Sequence, residues 1–221
     1  MVLVVTVALA ACGDDKQSSS AASSTSQTTT AAAVESTTTT SAAPTTTTMA
    51  PTTTTTAAGL SENSPLRFDG IGPIKVGMTL AQATAAAGKP VTHDPGYPFE
   101  GCGHAHVLGG PAGLRFLVER ARETDPWRIA RVDIDGESRI ATVSGIRIGA
   151  TEAEVKQTYS GPDKTGKLGV EQHTYDENGH YITYDVDGPG GYLLLFETDG
   201  KTVTRFRSGQ QGPVSYVEGC A

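Results

Sequence analysis

The sequence predicts an α+β fold in which two tandem repeats, each a helix followed by an antiparallel sheet, form one domain. Three observations lead to this prediction: a duplicated segment, a helix-capping pattern in each copy, and strand-like segments separated by turn residues. We place the globular domain at residues 61–221, with repeat one at about 66–142 and repeat two at about 143–221.

The duplicated segment occupies residues 72–83 and 144–155. In each copy a short apolar stretch and a glycine precede a threonine, Thr79 or Thr151, and Gln or Glu follows three residues later. This spacing is a capping box, in which the threonine and the third helical residue satisfy each other's backbone amides. It therefore predicts that a helix of about ten residues starts after each threonine.

Strand signals follow each predicted helix, separated by turn sequences such as Asn178-Gly179 and Asp199-Gly200. The segment 193–196 is apolar at every position, which indicates a central strand buried on both faces. The predicted strands are 104–108, 114–119, 128–134, 171–175, 181–186, 193–197 and 203–207.

Composition separates the chain into two parts. Residues 13 to about 60 are almost entirely Thr, Ser and Ala with a few Pro, so they cannot bury a core and we expect a disordered tether. The tether is either an O-glycosylated stalk or an unmodified spacer. The net charge of the 221 residues is -7, which argues against a nucleic-acid partner, since phosphate binding needs clustered Lys and Arg.

The N-terminus is typical of an exported protein. Residues 2–11 are apolar and end in small residues, which indicates a signal peptide at 1–11. The segment 9–12, Leu-Ala-Ala-Cys, resembles a bacterial lipobox, in which Cys12 would be acylated. Because no Lys or Arg precedes the apolar stretch, we expect the signal peptide to be truncated at its start. We therefore expect a lipid anchor on the extracytoplasmic face of the cell membrane; the alternative is a Cys12 buried at the head of an apolar strand.

The segment Ile-x-x-Gly-Met-Thr at 74–79, with its following helix, resembles the SmpA/OmlA (BamE-like) lipoproteins. Two such copies in tandem resemble the beta-lactamase-inhibitor-protein-like fold, although Ala150 replaces the methionine in the second copy. The resemblance implies a non-enzymatic protein that binds another envelope protein or takes part in envelope assembly. A small-ligand or metal-binding envelope protein is the alternative.

Two further cysteines, Cys102 and Cys220, form an even pair in a domain expected outside the cytoplasm. Disulfides are the usual state of such pairs in that compartment. The sequence therefore predicts a Cys102–Cys220 disulfide that ties the C-terminal end to the first repeat.

The best candidate metal ligands are Cys102, His104 and His106, which alternate along one predicted strand and so share a face. A disulfide would consume the thiol and leave a His-x-His pair, an ordinary feature of a strand edge, so we favour no metal and expect no cofactor. Other residues that could add to such a site are His93, Asp94, His173 and His180.

No sequence motif indicates catalysis, since the chain has no nucleophile elbow, His-Glu-x-x-His or phosphate-binding loop. Large aromatic side chains are scarce, and we expect most of them in the core. The alternative is that tyrosines on one face of the sheet contact a partner. The aromatic candidates are Tyr97, Phe99, Trp127, Tyr181, Tyr184, Tyr192 and Tyr216.

The lipobox makes a direct prediction about Cys12. The native protein is expected to carry acyl chains on Cys12, and a Cys12→Ser variant is expected to lose them and to leave the membrane fraction. Intact-mass measurement of both proteins checks this, and an unmodified Cys12 in the native protein would contradict the anchor.

Overall fold

Antiparallel strands dominate the structure, a computed structural model that describes residues 59–96, 100–186 and 191–220. The protein is mostly β, with 39% strand and 14% helix. The predicted α+β class, with two helix-plus-sheet repeats, is therefore wrong. One eight-stranded sheet and one three-stranded sheet make up the β structure of the described residues.

The small sheet lies at the start of the described residues. It consists of three two-residue strands, β1 (Leu66–Arg67), β2 (Gly70–Ile71) and β3 (Ile74–Lys75), paired antiparallel in that order. Leu66, Ile71 and Ile74 are buried, so the small sheet covers part of the core of the larger one.

The large sheet has the strand order β4-β5-β6-β7-β11-β10-β9-β8, and every neighbouring pair is antiparallel. The central pair β7–β11 joins strands far apart in sequence. The strands are β4 (Val91–His93), β5 (Cys102–Val107), β6 (Leu114–Glu119), β7 (Arg128–Ile134), β8 (Lys167–Gln172), β9 (His180–Val186), β10 (Tyr192–Thr198) and β11 (Val203–Gln210).

Three short helices complete the described structure: α1 (Leu80–Ala87), α2 (Glu152–Tyr159) and α3 (Gln211–Ser215). Both predicted capping boxes form, with Thr79 and Thr151 each accepting a hydrogen bond from the third helical amide. The helix α1 ends at Gly88, whose φ of +68° is a left-handed conformation that favours glycine.

The β7–β11 pairing explains why the predicted fold class fails. Phe206 lies opposite Ile134 and Gly209 lies opposite Arg131, so the strands of the two expected repeats pair with each other and form a single sheet. This pairing satisfies backbone groups that two separate sheets would leave exposed at their edges. The helices α1 and α2 span eight residues each and cover the sheet without defining two units.

Both faces of the large sheet are apolar near its centre. On the helix face, Phe116, Phe196 and Phe206 are fully buried beneath α1, α2 and the small sheet. Side chains alternate along a strand, so Leu193 and Leu195 of β10 point to the opposite face, where they are buried as well. The strand expected to be apolar on both faces is thus buried on both faces.

Glu152, the first residue of α2, fastens that helix to the sheet. Its Oε1 accepts a hydrogen bond from Thr198 Oγ1 at 2.6 Å and lies 2.7 Å from His180 Nδ1. Its Oε2 accepts a hydrogen bond from Lys156 Nζ at 2.9 Å. Burial raises the pKa of the carboxyl, but the hydrogen bonds from Thr198, Lys156 and His180 outweigh it and lower the pKa from 4.5 to about 2.

The lowered pKa of Glu152 predicts a pH dependence of stability. A carboxyl group whose pKa is lowered by folding stabilises the folded state at pH values above its pKa in the unfolded chain. This contribution disappears as the pH falls from about 4.5 to about 2. A Glu152→Gln variant is therefore expected to be less stable than the native protein at pH 7, with the difference shrinking across that window.

Urea unfolding at several pH values measures this difference, and Glu177→Gln, at an exposed position, is the matched control. A difference between the native protein and Glu152→Gln that stays constant from pH 7 to pH 2.5 would contradict the assignment.

Candidate functional site

The C-terminal segment crosses the face of the large sheet that α1 and α2 leave open. This segment, residues 211–220, consists of α3 and the tail that follows it, and we call it the strap. Val214 in the strap is fully buried among Tyr181, Leu193 and Leu195. Because these three residues alternate with the helix-face core residues of β9 and β10, the strap covers the second face, here called the strap face.

Two arginines of the sheet hold the backbone of the strap. Arg131 Nη1 donates to the carbonyl oxygens of Pro213 at 2.7 Å and Tyr216 at 3.1 Å. Arg207 Nε donates to the carbonyl oxygen of Val214 at 2.7 Å. Both arginine side chains are only 5% exposed, so these hydrogen bonds lie away from water and are correspondingly strong.

Carboxylates neutralise both guanidinium groups. Arg131 Nε lies 2.9 Å from Asp133, and Arg207 Nη1 donates to the buried Glu197, whose other oxygen lies 3.1 Å from Arg205 Nε. Burial lowers the pKa of Arg207. Its Nη2 is buried and has no hydrogen-bond acceptor among the described residues.

A disulfide closes the far end of the strap. Cys220 is bonded to Cys102 of β5, with the two Cα atoms 5.5 Å apart across a sequence separation of 118 residues. The bridge packs on Leu117 and Ala130 on the strap face. The strap is therefore held at both ends, by its continuity with β11 and by a covalent bond to β5.

A pocket of about 1190 Å³ opens beside the strap, against the disulfide. Glu119 and Arg128 line its sheet side, and burial raises the pKa of Glu119. Its outer rim carries Tyr175, Tyr216 and Val217, which are 65%, 43% and 40% exposed.

Two smaller pockets, of about 420 and 310 Å³, also border the strap. Val217 lines all three pockets. Space therefore surrounds the strap on the face that it covers.

His104 and His106 lie on the strap face with Cys102, as the sequence spacing predicts. His104 lines the 310 Å³ pocket, and burial lowers its pKa. His106 Nδ1 contacts the carboxylate of Asp94. The Cys102 sulfur is in the disulfide, and no group of three metal-ligating side chains occurs among the described residues.

The remaining candidate ligands are dispersed over the molecule. His93 stacks on Trp127, with ring centroids 4.5 Å apart. His173 stacks on Tyr181 of the strap face, and His180 contacts Glu152 at the start of α2. From the sequence, these histidines could add to a metal site at His104 and His106, but the structure does not bring them together.

The aromatic candidates have different roles. Tyr181 and Tyr184 are buried in the two cores, Tyr216 is exposed, and Tyr97 and Phe99 lie outside the described residues. The sequence reasoning missed Tyr175 and the two buried arginines. Charged residues two positions apart on one strand were the available signal for a polar site on one face: Arg131 and Asp133 in 128–134, and Arg205 and Arg207 in 203–210.

Cys12 and residues 13–58 of the tether lie outside the described residues, so the anchor stays a prediction. Leu60, at the expected end of the tether, is buried in the core. Within the described ranges, every helix is too short or too polar to cross a bilayer. Comparison with protein-family models, curated proteins and solved structures finds no match.

The Glu197–Arg207 pair generates a stability prediction. A Glu197→Gln variant is expected to lose about 3 kcal/mol of unfolding free energy, because Arg207 would then be buried without its counter-charge. Denaturant unfolding measures the loss. The double variant Glu197→Gln/Arg207→Met is expected to lose less than the sum of the two single variants, since no buried charge remains unpaired. Strict additivity would show that the pair is not coupled.

Proposed function

We propose that the protein is a lipid-anchored extracytoplasmic module that binds another protein of the cell envelope and has no catalytic activity. The observation that carries this proposal is the exposed aromatic rim beside the strap, formed by Tyr175, Tyr216 and Val217.

The rim has the chemistry of a protein contact. Large exposed apolar side chains that cluster around a concavity are typical of interaction sites, and tyrosine is enriched among residues that dominate binding energy. Tyr175 donates a hydrogen bond to Glu218, which keeps the ring beside the pocket and raises the pKa of the phenol. The disulfide and the two arginines hold the backbone that presents Tyr216 and Val217.

The N-terminal sequence supports the location and the mode of action. An acylated Cys12 would hold the protein at the membrane, and the Thr/Ser-rich tether would let the module search a volume around its anchor. The resemblance of the Gly-Met-Thr segment to the SmpA/OmlA lipoproteins supports the same assignment.

The alternative is a small-ligand carrier, which the pocket of about 1190 Å³ favours. A pocket of that size can enclose a drug-sized molecule. A bound small molecule would raise the melting temperature of the purified protein, because it binds only the folded state. Thermal-shift screening with metabolites, zinc and copper therefore separates the two functions.

Site-specific photocrosslinking in cells tests the rim. A photoreactive residue at position 175 of the full-length anchored protein is expected to capture one envelope protein reproducibly. The matched control is position 143, where Val143 is 51% exposed and does not line any of the three pockets.

A Tyr175→Ala/Tyr216→Ala variant is expected to lower the yield of a crosslink from a neighbouring rim position at least about tenfold, since two aromatic contacts are removed. Equal capture at positions 175 and 143 would contradict the proposal.

A further inference from the structure

We propose that the strap face is a peptide-binding site and that the strap is its resident ligand, held there by the disulfide. The site holds a segment with the conformation of the strap, helical over Gln211–Ser215, with a small branched side chain at the position of Val214. The inference rests on the described contacts alone and does not require the aromatic rim to bind a partner.

The sheet recognises the main chain of the strap. Arg131 and Arg207 together donate to three of its carbonyl oxygens, those of Pro213, Val214 and Tyr216. Backbone carbonyls are present in every peptide, so these contacts select conformation rather than sequence. Charged donors in a buried setting make strong hydrogen bonds, and two of them on one face are a preformed cradle for carbonyl groups.

Two neighbouring side chains of the strap are buried, those of Pro213 and Val214, and they supply the selectivity. Val214 is fully buried against Tyr181, Leu193 and Leu195, while its neighbours Ser215 and Tyr216 are exposed. A larger residue would meet strands whose opposite faces are already packed under the helices. An ionised residue would bring a charge into an apolar contact.

The strap is otherwise attached like a bound ligand rather than like a sheet element. Among the described residues, one backbone hydrogen bond joins the strap to a residue beside a strand. Gln211 N donates to Gly191 O at 2.8 Å, at the point where the strap leaves β11. Beyond that point the backbone is held by arginine side chains and by the Cys102–Cys220 bond. The three pockets that border it show that it fills only part of the face.

The Cys102–Cys220 disulfide determines how fully the strap occupies the strap face. With both ends fixed, the strap is present at an effective concentration that an outside peptide cannot match. With Cys220 released, the continuity with β11 is the only covalent link of the strap to the sheet, and its local concentration falls toward the millimolar range of a flexible tether. The arginine hydrogen bonds and the buried Val214 then hold the strap reversibly.

Hydrogen exchange of the purified native protein tests the resident contact. After reduction with a phosphine, amides of residues 211–220 are expected to exchange at least about tenfold faster, while β9–β11 keep their protection. Unchanged exchange in the strap would show that it is a permanent part of the fold and would overturn the proposal. Loss of protection throughout the sheet would overturn it in the same way.

Peptide binding tests the site in trans. The protein variant Val214→Asp/Cys102→Ser/Cys220→Ser weakens the strap, and a fluorescent peptide of residues 210–219 is the probe. Fluorescence polarisation is expected to show binding to this variant at least about tenfold tighter than that of a control peptide with Asp at position 214, because burying a carboxylate is costly. The oxidised native protein is expected to bind neither peptide.

Equal affinity for the two peptides, or no binding to a variant that circular dichroism shows to be folded, would overturn the site. If the variant does not fold, the exchange experiment on the native protein decides the proposal. Photocrosslinking at position 175 is measured separately, in cells. A rim that binds no partner and a strap face that binds no peptide therefore give different results.

Discussion

The arrangement of this protein depends on two arginine side chains buried in one face of a β-sheet. A buried guanidinium is costly unless charge and hydrogen bonds surround it. Asp133 and Glu197 supply the charge, and carbonyl oxygens of the C-terminal strap supply three further acceptors. The strap and the arginines therefore satisfy each other: the strap carbonyls accept hydrogen bonds from guanidinium groups that the strap covers, and without those groups the covered carbonyls would lack donors.

Because the strap covers the second face of the large sheet, the sheet is apolar on both faces near its centre. The helices α1 and α2 and the small sheet cover one face, and α3, through Val214, covers the other together with the disulfide. A sheet that is covered on one face needs apolar residues only at alternate positions of each strand. The strand β10 instead has apolar residues at consecutive positions. The disulfide then anchors a segment that ends beside the rim of Tyr175, Tyr216 and Val217. The same ten residues thus cover the second face of the sheet and present the exposed side chains of Tyr216 and Val217.

Local patterns predicted much of the secondary structure. The strands at 114–119 and 128–134 match the structure because apolar and turn residues delimit them within the chain. The edge strand β8 spans Lys167–Gln172 rather than the predicted 171–175, because its limits come from pairing with β9 and not from burial of its mostly exposed side chains. The five-residue helix α3, which contains Gly and Pro, has no local helix signal and forms against β10 and β11.

The sequence by itself determined the helix caps at Thr79 and Thr151 and the turns, since these depend on groups only a few residues apart. It also defined the hypotheses of an anchor at Cys12 and a tether. Only the tertiary structure decided that one sheet replaces two repeats, and that Arg131 meets carbonyl groups more than eighty positions away. Local rules act through nearest neighbours along the chain, whereas strand order and the partners of buried charges are set by which distant surfaces must be covered together.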